Sequence, residues 1–159
     1  MYDLQEIEAI KRLKYQYIRT IDCKQWDELR QCFTDDARSD YHEGEYRFDG
    51  ADQIVKFIRD AHGAPTWTGY RRSHNPEIDV TGPTTAVGVW AIEYVDYDLK
   101  AGLCHFGLAY YHDEYVKVDG QWKIKFTGFE PIFEMVEQLS DTPHLQVTKN
   151  RFARDEEGL

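Results

Sequence analysis

Positive charge is scarce in this chain. Nineteen lysines and arginines stand against 29 aspartates and glutamates, a net charge of −10. Phosphates repel such a surface, so nucleic acid is excluded as the expected partner. Long apolar runs are missing too, and no stretch is long enough to span a bilayer. No basic-then-apolar leader pattern opens the chain. Cysteine is sparse: Cys23, Cys32 and Cys104 form no CxxC pair and leave an odd count. A reduced, cytoplasmic protein is expected. Six histidines include no HxH, HxxxH or HExxH spacing, so no metal site is expected. GxSxG, P-loop and GxGxxG patterns are also absent, which removes the usual serine-hydrolase and nucleotide signals.

What is abundant is aromatic side chain, 14% of residues with 11 tyrosines. Aromatics fill cores, and they also line pockets for flat ligands. The length of 159 residues suits one domain with a real core.

The chain divides into a helical first part and a strand-rich remainder. Over 4–21, Ile7, Ile10, Leu13, Tyr17 and Ile21 recur at three- and four-residue steps, one stripe of an amphipathic helix. Trp26, Leu29 and Phe33 continue that spacing, so a short second helix follows. Two short strands are expected around 37–42 and 46–48. A third helix is expected over 49–63, capped by Asp49 and ended by Gly63. Alternating runs then occupy 71–80, 85–97 and 103–118, and "DG" at 119–120 turns the chain into a last strand over 121–133. Helices first and antiparallel strands after make an α+β domain. Gly88, Gly107 and Gly128 inside the strands indicate bends, hence a strongly curved sheet wrapped around the first helix as a cone with an open mouth. Residues 1–135 are taken as the domain and 136–159 as a polar tail that packs against a neighbouring subunit.

With metals and nucleotides set aside, acid–base chemistry remains. Alternation in "HNPEIDV" puts His74 on one face with Ile78 and Val80, the apolar face. An inward histidine is either a proton carrier or a core residue with a hydrogen-bond partner. Tyr17 belongs to the first helix's stripe, where its hydroxyl serves a ligand or simply packs. Asp22 ends that helix. It either faces the interior or caps the second helix, with Gln25 three residues on. Together, a buried aspartate beside a histidine fixes its tautomer and stabilises the imidazolium, and a tyrosine donates to an oxygen gaining charge. Those groups suffice to remove a proton next to a carbonyl and expel a β-substituent.

The segments "IEAIKRLKYQYIRTIDCKQWDELRQCFTDDA", "HNPEIDV" and "YYHDEYVKVDGQWKI" resemble the SnoaL-like branch of the nuclear-transport-factor-2-like superfamily, over roughly 4–133. Within it the bile acid 7α-dehydratases are most similar, with scytalone dehydratases and hexachlorocyclohexane dehydrochlorinases more distant. The resemblance implies a cone-shaped α+β fold and a lyase with no metal or organic cofactor. Its substrate would be a small cyclic, largely apolar compound such as a steroid or aromatic polyketide. A homotrimer, or failing that a homodimer, is implied. So are His74 as base, Asp22 as its orienter and Tyr17 as hydrogen-bond donor, with Tyr46 and His105 as further candidates. Isomerases and cyclases of the same fold use a carboxylate base. Epoxide hydrolases of the limonene type use an Asp–Arg–Asp set, and none stands out around Arg71 and Arg72. Small subunits of ring-hydroxylating dioxygenases only scaffold, and would fill the cavity with apolar side chains.

Overall fold

A computed structural model describes residues 4–153. Three helices come first: α1 (Leu4–Asp22), α2 (Trp26–Gln31) and, after two strands, α3 (Ala51–His62). The strands are β1 (Phe33–Tyr41), β2 (Tyr46–Asp49), β3 (Trp67–Gly82), β4 (Thr85–Asp98), β5 (Leu103–Val118) and β6 (Gln121–Gln138). They form one sheet in the order β2-β1-β6-β5-β4-β3, antiparallel except between β1 and β6. The architecture is the expected NTF2-like α+β fold, an open curved sheet packed on the N-terminal helices.

The stripe of α1 does what its spacing predicts. Ile10, Leu13, Tyr17, Ile18 and Ile21 are buried. They meet the inner face of the sheet, including Trp90, Ile92, Tyr111, Tyr115 and Ile124. Lys14 lies in the same stripe and is fully buried, its Nζ 2.7 Å from Asp113 Oδ2. Asp113 also accepts from Tyr115 and Thr127, so the buried carboxylate is fully used.

Three local expectations change. Asp49 does not cap α3. It ends β2, and Gly50 takes the cap position at φ +98°, a conformation that glycine adopts freely. Asp22 does not cap α2 either, since Gln25 holds that position with no side-chain cap bond. Finally, β6 continues to Gln138, paired with β5 at Leu103. The strand thus crosses the expected start of the tail at 136.

The change that matters most is in β3. His74 pairs with Ala91 of β4, but Glu77 pairs with Val89. Three residues of β3 therefore oppose two of β4, a β-bulge, and Asn75 takes a left-handed φ of +46° there. A bulge switches which residues face inward. Before it, Trp67, Gly69 and Arg71 face the helices; after it, Ile78 and Val80 do. His74 lies before the bulge and faces outward.

Candidate active site

The inner face of the sheet and α3 enclose a cavity of about 300 Å³, partly open to solvent. Each element supplies side chains at its own period. Arg71 and Trp67 come from β3, Ile92, Tyr94 and Asp96 from β4, His105 and Tyr111 from β5, two apart along each strand or multiples of two. Helix α3 contributes Phe57, Ile58, Ala61 and His62, which share one face, and α1 contributes Tyr17 and Ile21.

The three expected site residues do not converge. His74 is about half exposed on the outer face, its Nε2 3.7 Å from Glu93 Oε1. It is absent from the cavity wall and has no contact with Asp22, so the Asp22–His74 dyad is not formed. Tyr17 does line the cavity. Asp22 is tucked behind it, 15% exposed, and accepts three hydrogen bonds from β3. These come from the Arg71 backbone N–H at 3.1 Å, Arg71 Nη1 at 3.2 Å and Arg72 Nη1 at 3.3 Å. The partner of Asp22 is thus an arginine three residues before the histidine, for the reason the bulge gives.

Arg71 has a second carboxylate. Its Nη2 donates to Asp96 Oδ2 at 2.7 Å, with both side chains nearly buried. Asp22, Arg71 and Asp96 therefore form the Asp–Arg–Asp set that was not evident in the sequence. The set carries a net charge of −1, and the guanidinium is committed to its two neighbours. Burial raises the pKa of Asp96, opposed by Arg71, by the nearby Trp67 indole and by His105. Asp22 is likewise raised by burial, against the pull of Arg71. Asp96 Oδ1 is buried and makes no hydrogen bond, nor does Trp67 Nε1 close to it. One carboxylate oxygen of Asp96 is thus buried in the cavity wall beside the Trp67 indole N–H, without a well-formed hydrogen bond. Gly69 makes this possible. A Cβ there would lie 2.1 Å from Val95 O and 2.6 Å from Asp96 Oδ1.

Three tyrosines form the other end. The hydroxyls of Tyr17 and Tyr111 are 3.4 Å apart, with their rings edge-on. Tyr41 is buried beside Ser39 and Tyr17, yet its hydroxyl has no formed hydrogen bond. Burial pushes the Tyr111 phenol up to about 12 and raises Tyr17 and Tyr41 further, so all three are neutral donors. Behind them Lys14 Nζ sits 3.6 Å from the Tyr111 ring centroid and 4.7 Å from that of Tyr17.

Three histidines, His42, His62 and His105, reach the cavity. His62 Nδ1 lies 3.1 Å from Ile58 O. A carbonyl only accepts, so Nδ1 carries the proton and Nε2 keeps a lone pair. Burial, with help from the Arg71 charge, pushes the His62 pKa down to about 3, so the ring is neutral. His105 stacks on Trp67 at 5.8 Å and pairs with Asp96 across β4 and β5. Tyr46 packs on Phe57 just outside the lining. Tyr94 donates to Glu134 at 2.6 Å, lying over Gly107, where any Cβ would meet its hydroxyl at 2.7 Å.

The sequence signals for Arg71 and Asp96 were present. "NP" inside an otherwise regular strand marks a bulge, because asparagine tolerates the left-handed region. Counting inward positions back from that bulge leads to Arg71 rather than His74. Asp96 follows Trp90, Ile92 and Tyr94 at strict two-residue steps.

Residues 3–127 match the SnoaL-like domain. The chain belongs to the SnoaL-like family. Solved SnoaL-like and NTF2-like relatives share the architecture. A protein from Novosphingobium aromaticivorans named for scytalone dehydratase is 25% identical, covers 84% of this chain and 88% of its own, and superposes with a TM-score of 0.78. The type 3 LinA hexachlorocyclohexane dehydrochlorinase of Novosphingobium barchaimii is 18% identical over 84% of this chain and 91% of its own, TM-score 0.75. A protein from Novosphingobium aromaticivorans named for an aromatic ring hydroxylase is also 18% identical, over 89% and 98%, TM-score 0.75. At 18% identity the likeness concerns the fold. No helix among the described residues is long and apolar enough to cross a membrane.

Proposed function

We propose that this SnoaL-like protein is a lyase that removes water from a small cyclic β-hydroxy ketone, using a carboxylate base in place of a histidine. The observation that carries the proposal is Asp96 Oδ1, unpaired and buried in a cavity wall. A general base needs a free lone pair and a pKa moved toward neutrality, and burial moves that of Asp96 in this direction. Arg71 holds the other oxygen and orients the carboxylate, while Asp22 holds Arg71.

In the reaction Asp96 Oδ1 takes a proton from the carbon beside the ketone. The electrons of that C–H bond form an enolate, whose oxygen accepts hydrogen bonds from the tyrosine end. The enolate then collapses to a C=C bond and expels the β-hydroxyl, which leaves as water with the proton that Asp96 carries. General base catalysis supplies about 10²–10⁴ in rate, and one oxyanion donor about 3–4 kcal/mol. No metal or organic cofactor is needed for these steps. The two relatives named for a dehydratase and a dehydrochlorinase support an elimination. A substrate without a β-substituent would be isomerised or cyclised through the same enolate. A scaffold role is disfavoured, because a scaffold has no use for an Asp–Arg–Asp set and three buried phenols around a cavity.

The same set favours a second reading, opening of an epoxide by a water held at Asp96 Oδ1. One experiment separates the two. Purified protein is given 3-hydroxy-1-tetralone, which loses water to become 1-naphthol, and in parallel a cyclic epoxide of equal size. Elimination predicts naphthol fluorescence above the spontaneous rate and no diol. Diol alone would favour the second reading. With neither product, the lyase assignment fails.

A further inference from the structure

We infer that the mouth of the cavity, at Glu134, Tyr94 and Phe129, is a recognition site for a protonated amine, so that the ligand carries a cationic nitrogen beside its ring. This rests on the use of the cavity as a small-molecule site, as proposed above, and adds a charge to that ligand.

The charge of the wall comes first. Arg71 is the one lysine or arginine among the described lining residues, and Asp22 and Asp96 both hold it. Lys14 lies behind the tyrosines, fully buried and paired with Asp113. Burial keeps the His62 ring neutral. The lining itself adds two carboxylates, Asp96 and Glu134. With Asp22 behind them, three carboxylates and one guanidinium give a formal charge of −2. Such a lining attracts a cation and repels an anion, and the −10 charge of the whole chain favours the same sign.

The rings come next. Seven of the lining residues are phenylalanine, tyrosine or tryptophan. Several of them meet Glu134 at the mouth, where its side chain is exposed. Tyr94 donates to Glu134 Oε1 at 2.6 Å, the Phe129 ring lies 6.1 Å from that of Tyr94, and His42 lies 5.5 Å from Phe129. Gly107 stands between Tyr94 and Glu134 in the register, and its missing side chain leaves room for their hydrogen bond. An aromatic face attracts a cation within about 6 Å of its centroid. Glu134 Oε1 takes the phenol, and Oε2 is left to accept an N–H from an ammonium group. Rings alone would serve any flat ligand, and an exposed carboxylate alone would bind little. Here both share one corner. Glu134 is on β6 and Asp96 on β4, two strands apart or about 10 Å across the sheet. An amine at the mouth therefore leaves Asp96 free, while the ring attached to it extends inward.

Calorimetry on the full chain tests this without any turnover, at pH 8, where an ordinary imidazole is neutral and the amine is charged. The probes are 2-aminotetralin as its ammonium ion, 2-tetralol as the neutral match and tetralin-2-carboxylate as the anion. The amine should bind about tenfold tighter than the alcohol, and the carboxylate more weakly than either. Glu134→Gln still accepts from Tyr94 but has no charge. It should weaken the amine about threefold to fivefold and leave the alcohol unchanged. Phe129→Leu should likewise weaken the amine more than the alcohol. The inference is overturned if the alcohol or the carboxylate binds as tightly as the amine, if either variant fails to weaken the amine more than the alcohol, or if no probe binds. Selective amine binding without naphthol formation would overturn the lyase proposal and leave this one standing. Naphthol formation with no preference for the amine would do the reverse.

Discussion

Arg71 gives Nη2 to Asp96 Oδ2 at 2.7 Å and leaves Asp96 Oδ1 with no partner. That asymmetry makes the carboxylate usable. Had both oxygens been bonded, Asp96 would be one more buried ion-pair member. Had neither been, nothing would offset the burial that raises its pKa.

Gly69 is the steric condition for the arrangement. Gly69→Ala would put a methyl group 2.6 Å from Asp96 Oδ1 and closer still to Val95 O. Overpacking of this kind costs about 1–3 kcal/mol, which for a chain of this length lowers the melting temperature by about 2–12 °C. Turnover should fall as well, because the displaced group is the carboxylate. A variant with wild-type melting and wild-type rate would show that the close approach is not needed.

His62 sets an acid limit on stability. Its folded pKa, about 3, is below the 6.5 of the unfolded chain, so unfolding takes up a proton below pH 6.5. Stability is therefore lost as pH falls from about 6.5 toward 3. Asp96 and Asp22 have raised pKa values and act in the opposite sense, with the folded state holding protons more tightly as pH falls into the carboxylate range. Between pH 6.5 and 5 the histidine dominates. Melting curves across that range should fall with acid in the wild type and be flatter in His62→Gln; equal slopes would contradict the assignment.

The Lys14–Asp113 pair gives a sharp contrast between single and double variants. Both side chains are fully buried at 2.7 Å. Lys14→Met alone leaves an unpaired carboxylate in the core and should cost about 3–5 kcal/mol. Lys14→Met with Asp113→Asn removes both charges while keeping a side-chain oxygen for the buried Tyr115 and Thr127 hydroxyls, and should recover most of that loss. Denaturant titration of the three proteins decides, and a double variant as unstable as the single one would mean that the pair itself, not the orphaned charge, dominates.

Assembly is tested by mass. The outer face of β5 and β6 exposes Leu108, Phe133 and Met135 in adjacent rows, with Ile132 at the bulge between β6 and β5. An apolar face of this kind is suited to a second copy of the chain. We propose a homotrimer, so light scattering should return three times the 18.8 kDa chain. A dimer would contradict the trimer, and a monomer at micromolar concentration would remove the contact altogether.

The fold was legible because α1, α3 and the long strands carry strong periodicities. Ile10, Leu13, Tyr17 and Ile21 announce their face at a glance, and Asp119–Gly120 announces the β5–β6 turn. The site was legible only in part. Tyr17 follows from its stripe, but the reading of His74 carried the alternation of Ile78 and Val80 backwards through Asn75, where the bulge reverses it. One extra residue changes every side chain beyond it to the other face. Asp96 was passed over because an acidic residue near a strand end reads as solvated. Its burial depends on Arg71 across the sheet and on the missing side chain at Gly69. Neither is visible within one strand. Asp22 could be read as a cap because capping is local, whereas its actual partner lies 49 residues away.

The central claim is that Asp96 removes a proton from carbon. The direct measurement is exchange of the protons beside the ketone of 1-tetralone for deuterium in D₂O, followed by proton NMR at pH 7. The wild type should exchange them faster than buffer alone. Asp96→Asn should lose about 10²–10⁴ of that acceleration while keeping its circular-dichroism spectrum, and His74→Ala should exchange like the wild type. Undiminished exchange in folded Asp96→Asn, or its loss in folded His74→Ala, would contradict the account.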